Sequence, residues 1–496
     1  MTRSRDVSGR VRRIERSAGG AKGTQETVNG SGRRDAAKTD ERAVEARLTT
    51  SLDTTKRQPE TERDEVLRLG KRTYPVWTPA MVRARKEYRE RGRKWYVLHD
   101  KLSDSRNLNE AWRQVEENRG APGVSGQTVE DYSKNATERL NRLGRRLHEG
   151  TYAAQPIRQK LIPKTDGSGK MRELGIPEVE DRIVQAAIVR LIEPIFEDKF
   201  LEGSYGFRPE RSAHHALSRV ETAIAADRPF VVDADISNCF GSIPHDALMN
   251  EVAKEISDTR LMGLIRSFVK ADIVKEMESC TPVSGTPQGA VLSPLLANVY
   301  LHEFDLQMSR AGYEVVRYAD DFVVLSRTKE EADEARACAE KVLQAMGLKL
   351  HPEKTRVVDS RQEPFQFLGY VFAPKGRWPR KGSEQKLRDR IREKTPRSGG
   401  QSLRVVIIRL NRTLKGWYRY FRHCVANVFE AVDGFVRRRL RSILRQYEGR
   451  RGAARNGRDN QRYPSSFFRQ LQLFSLEEQS KADRRGRRLI PFPARA

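Results

Sequence analysis

Between residues 155 and 372, short apolar runs alternate with longer stretches whose apolar positions recur every three or four residues, a pattern that predicts a mixed fold. The short runs read as strands at 230–236, 314–318, 322–326 and 367–372. The longer stretches read as helices at 180–198, 211–226, 293–309 and 329–346. Upstream, from Lys94 to about Asp131, the pattern is helical and breaks at the Gly-rich segment 120–126. Beyond about residue 376 the strand signals fade. There Val428, Val432, Val436 and Leu440 recur every four residues and give one buried helical stripe, with Arg437, Arg438, Arg439, Arg441 and Arg445 around it. The chain therefore divides into an α+β region at 72–375 and an α-helical region at 376–447. Residues 1–71 hold few large apolar side chains, cannot offset their ordering entropy by burial, and are expected to be a disordered basic tail. The basic tail at 448–496 is Gly/Arg-rich and expected to be only partly ordered.

Composition narrows the class of partner. The chain has 496 residues, room for roughly two to four domains, and a net charge of +27. Such an excess of Lys and Arg calls for a polyanion, and its spread along the whole chain suits nucleic acid better than a membrane surface. Four cysteines, Cys239, Cys280, Cys338 and Cys424, form no Cys-x-x-Cys pair and suggest a reducing compartment. The N-terminus has basic residues without an apolar core after them, and no apolar run is long enough to cross a bilayer. These features predict a soluble, intracellular, cytoplasmic protein with no membrane partner.

Two segments carry candidate chemistry. Val316-Arg-Tyr-Ala-Asp-Asp-Phe-Val-Val-Leu325 reads as a hairpin with Asp320 and Asp321 at its tip. Adjacent strand residues point to opposite faces, so only a turn can bring both acids near one site. Paired carboxylates suit a hard divalent ion such as Mg²⁺, and two such ions serve phosphoryl chemistry; an Asp-Asp that merely caps a turn is the competing reading. In Phe230-Val-Val-Asp-Ala-Asp-Ile236, two-residue spacing puts Asp233 and Asp235 on one strand face. Physics alone leaves open which of the two binds metal. An acid on so apolar a strand is costly unless paired or ligating.

Tyr318-Ala319-Asp320-Asp321 resembles the signature of reverse transcriptases, and Ala in its second place resembles the group II intron branch of that family. The resemblance implies that Asp235, Asp320 and Asp321 are the catalytic, metal-holding acids for two Mg²⁺ ions, with Asp233 a structural neighbour. It makes Phe240 an aromatic gate beneath the sugar that would disfavour a 2′-hydroxyl. Segment 285–305 resembles the block whose Pro-Gln-Gly turn touches template and nucleotide, with Gln288 able to donate and accept. Segment 155–185 resembles the fingers, where Lys164 and Arg172 flank a Gly-rich turn and would clamp the triphosphate; Lys170 or Arg182 could take that role instead. Segment 204–217 continues the family pattern, Lys354 in 347–355 would sit near the leaving pyrophosphate, and 367–370 resembles the grip on the primer end. Segment 111–132 resembles the N-terminal block of intron-encoded enzymes, and 410–440 resembles domain X. In the latter, Trp417, Tyr418, Tyr420 and Phe421 interleave with Lys415, Arg419 and Arg422, a mixture that can stack bases and hold phosphates. Arg419, Arg422, Arg437, Arg438 and Arg439 are the expected RNA contacts.

The resemblance spans roughly 94–445, with its blocks in family order. It implies a right-hand polymerase, fingers and palm followed by a helical thumb or domain X. The expected partners are a group II intron RNA, an RNA template with a DNA primer, dNTPs and target DNA. Two positions depart from the family: Gly241 stands where many relatives carry an acid, and Ser125 where many carry Asp. After domain X there is no histidine or cysteine, so no His-Asn-His endonuclease domain is expected. The competing functions are a splicing-only RNA-binding maturase, a reverse transcriptase of retron, diversity-generating or defence-associated lineage, and another palm-fold enzyme such as a nucleotide cyclase.

Overall fold

The computed structural model describes residues 67–69, 72–74, 76–163, 169, 171–275, 278–282, 284–396, 400–450 and 457–485. The expected disordered tail lies outside the described residues up to position 66, and the described part begins with a small hairpin, β1 (Leu67–Leu69) and β2 (Arg72–Tyr74). The architecture is α+β.

Further strands are β3 (Ile157–Pro163), β4 (Met171–Ile176), β5 (Phe230–Asp235), β6 (Ile273–Lys275), β7 (Glu278–Cys280), β8 (Glu314–Tyr318), β9 (Asp321–Ser326), β10 (Arg356–Asp359), β11 (Phe365–Phe367), β12 (Tyr370–Ala373) and β13 (Gly376–Pro379). One sheet has the order β10-β5-β9-β8, antiparallel throughout; a second runs β4-β3-β6-β7 and a third β11-β12-β13. The first sheet is buried on both faces, and its alternating side chains feed two separate cores. Val232, Ala234, Phe322 and Val324 join a core built with helices Val179–Glu197, Ser293–Arg310 and Lys329–Ala345. Val231, Val316, Val323, Leu325 and Val358 join a core with helix Ala213–Ala225, the third sheet and the C-terminal helices.

The helices form where local chemistry asks for them. Thr328 caps Lys329–Ala345, accepting from Glu331 N at 3.1 Å, while the Glu331 carboxylate accepts from Arg327 N at 2.8 Å. Ala332, Ala335 and Ala339 on its buried face let it lie close against the sheet. In the N-terminal block, Leu108, Ala111, Trp112 and Val115 form the buried stripe of helix Ser105–Asn118. The 120–126 turn then closes on a buried Glu178, whose carboxylate accepts from Ser125 N and Oγ, each at 2.6 Å. A hydroxyl at 125 suits that neighbour, where an aspartate would set two like charges together.

One expectation changes. The run 367–372 was expected to be one strand, but Leu368 (φ +50°) and Gly369 (φ +77°) turn the chain and split it into β11 and β12. The turn pairs Phe365 with Phe372, whose rings stack at 4.8 Å, and that packing outweighs continuation of the strand. The segment after 448, read as a partly ordered basic tail, includes helices Gly457–Arg462, Ser465–Gln470 and Leu476–Arg485, while 451–456 and 486–496 lie outside the described residues. Buried Asp433 anchors the last of these, accepting from Ser475 Oγ (2.7 Å), Leu476 N (3.1 Å) and Glu477 N (3.1 Å), while Phe468 and Leu476 extend the second core. The stripe of Val428, Val432, Val436 and Leu440 is buried as its spacing predicts.

Candidate active site

Period-two alternation decides which way the acids face. Asp233 and Asp235 share parity with Val231 on β5, and Asp321 shares parity with Val323 and Leu325 on β9. All three therefore lie on the face that looks toward the C-terminal helices. Register places Asp235 directly across from Asp321, and Tyr318 across from Asp321 on the far side. The hairpin turn is Ala319-Asp320, with Ala319 in the left-handed region at φ +61°. Asp320 O accepts from Ile236 N at 3.2 Å, which ties the turn to the end of β5.

The cluster's electrostatics follow from burial and like charge. Burial pushes the Asp321 carboxyl up to about 8, and the negative charges of Asp233, Asp235 and Asp320 add to the rise. Burial also raises Asp320, together with the charge of Asp235, against the cations of Arg172 and Lys354. Asp233 is raised by burial and restrained by Arg356, its cross-strand partner at 3.5 Å. The Lys354 ammonium pairs with the Asp235 carboxylate. Among the described residues, no three acidic, histidine or cysteine side chains are already gathered into a metal-holding group. The donor chemistry nonetheless fits a hard divalent cation. The donors are half-buried carboxylates that repel one another, and one of them already draws an ammonium.

Backbone bonds tie the loop that carries Gln288 to the Phe240 segment on one side and to β4 on the other. Thr286 N donates to Phe240 O at 2.6 Å, Gly285 N to Ile243 O at 2.8 Å, and Gly175 N to Gln288 O at 2.7 Å. A Cβ on Gly285 (φ +92°) would come within 2.8 Å of the Gly241 backbone, so the two glycines at this crossing permit the approach. Arg172 is exposed on β4, the strand against which this loop is bonded.

Other candidates fall differently. Lys164 and Lys170 lie outside the described residues. The alternative clamp, Arg182, is corrected: its guanidinium is buried and donates to Pro177 O, at 2.9 Å from Nε, and to Ala121 O, so it staples the 120–126 turn. Arg419, Arg422 and Arg438 are exposed and Arg437 is half-buried, whereas Arg439 bonds Thr395 Oγ1 at 3.0 Å and Thr395 O at 2.6 Å. Tyr418 and Phe421 are core, and Tyr420 Oη donates to Leu368 O at 2.8 Å.

Sequence reasoning missed Arg317. It is fully buried, and its guanidinium bonds Asp305 Oδ1 (2.8 Å), Asn298 Oδ1 (3.1 Å), Ser204 Oγ (2.9 Å) and Ala319 O (3.0 Å), the last inside the Asp-Asp turn. A lone cation in the apolar run Val315-Val316-Arg317 was the available signal.

Residues 162–372 match the family described as Reverse transcriptase (RNA-dependent DNA polymerase), and residues 384–461 match Group II intron, maturase-specific domain. The Group II intron-encoded protein LtrA of Lactococcus lactis subsp. cremoris is 39% identical over 197 residues, 39% of this chain and 32% of that protein. The match thus spans about a third of that relative's length. Protein YkfC of Escherichia coli (strain K12) is 34% identical over 304 residues, 53% of this chain and 79% of that protein. A solved structure titled Partial Cas6-RT-Cas1--Cas2 complex aligns over 50% of this chain and 41% of that one, at 24% identity and a TM-score of 0.32. No helix among the described residues is long and apolar enough to cross a membrane.

Proposed function

This chain belongs to the family of group II intron-encoded reverse transcriptases and maturases, and from that premise we propose that it is an RNA-directed DNA polymerase that also binds its intron RNA to assist splicing. The observation that carries the polymerase reading is the register of Asp235 opposite Asp321, with Asp320 in the adjoining turn. In this reading the β10-β5-β9-β8 sheet is the palm, the β4-β3-β6-β7 sheet belongs to the fingers, and the helices from Lys381 onward are the thumb and domain X.

Asp235, Asp320 and Asp321 would hold two Mg²⁺ ions. Bound there, the ions would activate the primer 3′-hydroxyl and stabilise the leaving pyrophosphate. The protein's own residues supply the rest. Lys354 and Arg172, the cations that act on Asp320, offer charge to the triphosphate. Phe240 sits beneath the sugar and excludes a 2′-hydroxyl by volume. Gln288 offers donor and acceptor groups to the base pair being formed. Arg419, Arg422, Arg437 and Arg438 face RNA phosphates, for which a guanidinium fork is well shaped.

Primer extension on an RNA template with Mg²⁺ and dNTPs tests the proposal, with intron-RNA binding measured in parallel. The native protein is expected to extend the primer, and Asp320→Ala to lose extension while binding intron RNA as before. If the native protein binds RNA but never extends, the splicing-only reading replaces this one.

A further inference from the structure

The segment Ser204-Tyr205-Gly206-Phe207-Arg208 has no task in the chemistry above, yet it runs beside the Asp-Asp turn. Tyr205 N donates to Arg317 O at 2.9 Å, and Arg317 N to Gly203 O at 2.8 Å. Gly206 presses so close that a Cβ there would come within 2.4 Å of Ala319 N, and its carbonyl accepts from Asn298 Nδ2 at 2.7 Å. Arg208 is buried, bonded to Glu197 at 2.8 Å and to the carbonyls of Leu201 (2.6 Å) and Ser204 (2.8 Å). Both neighbours of Phe207 are therefore fixed in place.

Phe207 itself takes two unfavourable options at once. Its backbone is left-handed, φ +60°, a region that a bulky residue avoids. The residue is 49% exposed, and its ring lies 6.4 Å from the Tyr318 ring, tilted 41°. An exposed aromatic on a strained, firmly anchored loop points to a ligand that covers it.

Sheet order says which ligand. Lys354 pairs with Asp235 on β5, Asp321 follows on β9, and Tyr318 on β8 forms the opposite edge with Phe207 beyond it. In an in-line displacement the attacking and leaving oxygens stand on opposite sides of the phosphorus. If pyrophosphate leaves on the Lys354 side, the primer end must come from the Tyr318 side.

Resting on the polymerase reading of this site, we propose that Phe207, with Tyr318, is a positioning residue for the primer. Its ring packs against the terminal primer nucleotides and keeps the 3′-hydroxyl beside Asp320 and Asp321. Aromatic contact of this kind is tolerant of base sequence, as an enzyme that copies any template requires.

Steady-state extension of a DNA primer on an RNA template tests this with Phe207→Ala, Phe207→Gly and Phe207→Tyr, alongside thermal melting. The KM for primer–template should rise about tenfold in Ala and Gly, the KM for dNTP should stay unchanged, and Tyr should restore native values. Phe207→Gly should melt no lower than the native protein, because glycine adopts φ +60° freely. A native primer–template KM in both Ala and Gly overturns the proposal, as does a clearly lower melting point for Gly, which would make the ring a packing residue. Anisotropy with the same duplex separates the two levels of argument. A native protein that never extends refutes the polymerase reading, whereas extension with equal duplex affinity in native and Ala proteins refutes only the role of Phe207.

Discussion

Replacing Arg317 by Met deletes a cation that solvent does not reach. The native guanidinium is 0% exposed and Asp305 is 5% exposed, so the variant strands a carboxylate in the interior. Breaking a buried pair from one side costs about 3–5 kcal/mol. The carbonyl of Ala319 and the side-chain oxygens of Asn298 and Ser204 also lose a donor, which adds about 1–3 kcal/mol. Against a total stability of about 5–15 kcal/mol, the single variant stands near its unfolding threshold. The double variant Arg317→Met/Asp305→Leu removes both charges and should regain most of the loss, since desolvation offsets much of the native attraction. Urea denaturation of the native protein, Arg317→Met, Asp305→Leu and the double variant gives the coupling directly. Primer extension should stay depressed in the double variant even where stability returns, because Ala319 O still lacks the donor that holds the Asp-Asp turn. A single variant that loses less than about 1 kcal/mol, or a double variant no more stable than the single, would refute the reasoning.

Phe240→Ala should lower the preference for dNTP over rNTP by about tenfold or more, read as the ratio of kcat/KM values on one template; an unchanged ratio removes Phe240 from the sugar site. Asp181 gives a pH test away from the acids. Burial pushes its carboxyl up to about 7 from an ordinary 3.8, although Tyr152 Oη and Gln155 N donate to it. The folded state therefore holds this proton more tightly than the unfolded chain, so its contribution to stability is complete at low pH. It is lost as pH rises from about 4 to about 7. Asp181→Asn cannot titrate, so its stability relative to native should climb through that window by several kcal/mol, on the order of 1.4 per unit, and level off above it. A difference that stays flat from pH 4 to 8 rules out the buried, raised carboxyl.

How the site was legible follows from the range of each signal. The acids of β5 and the hairpin of β8 and β9 were readable because strand alternation is local: two-residue spacing alone puts Asp233 and Asp235 on one face. The helices at 180–198, 293–309 and 329–346 were readable for the same reason, from one face or all faces being apolar over several turns. The β11–β12 turn escaped because Phe-Leu-Gly-Tyr looks like a continuous apolar run until Phe365 and Phe372 find each other. Cations were the hardest to assign. Arg182, Arg317, Arg439 and Arg438 are the same residue type in basic or apolar surroundings. Yet the first three bond Pro177, Asp305 and Thr395, and only Arg438 is exposed. The chain by itself determined the α+β class, the acids, the order of the blocks and the excess of positive charge, because composition and short-range period carry them. Tertiary structure alone decided which acids oppose which, that Lys354 meets Asp235, that Arg317 braces the turn, and that Phe207 is held out beside it. Those are contacts between residues as many as 119 positions apart, and no local pattern encodes which distant side chain will arrive.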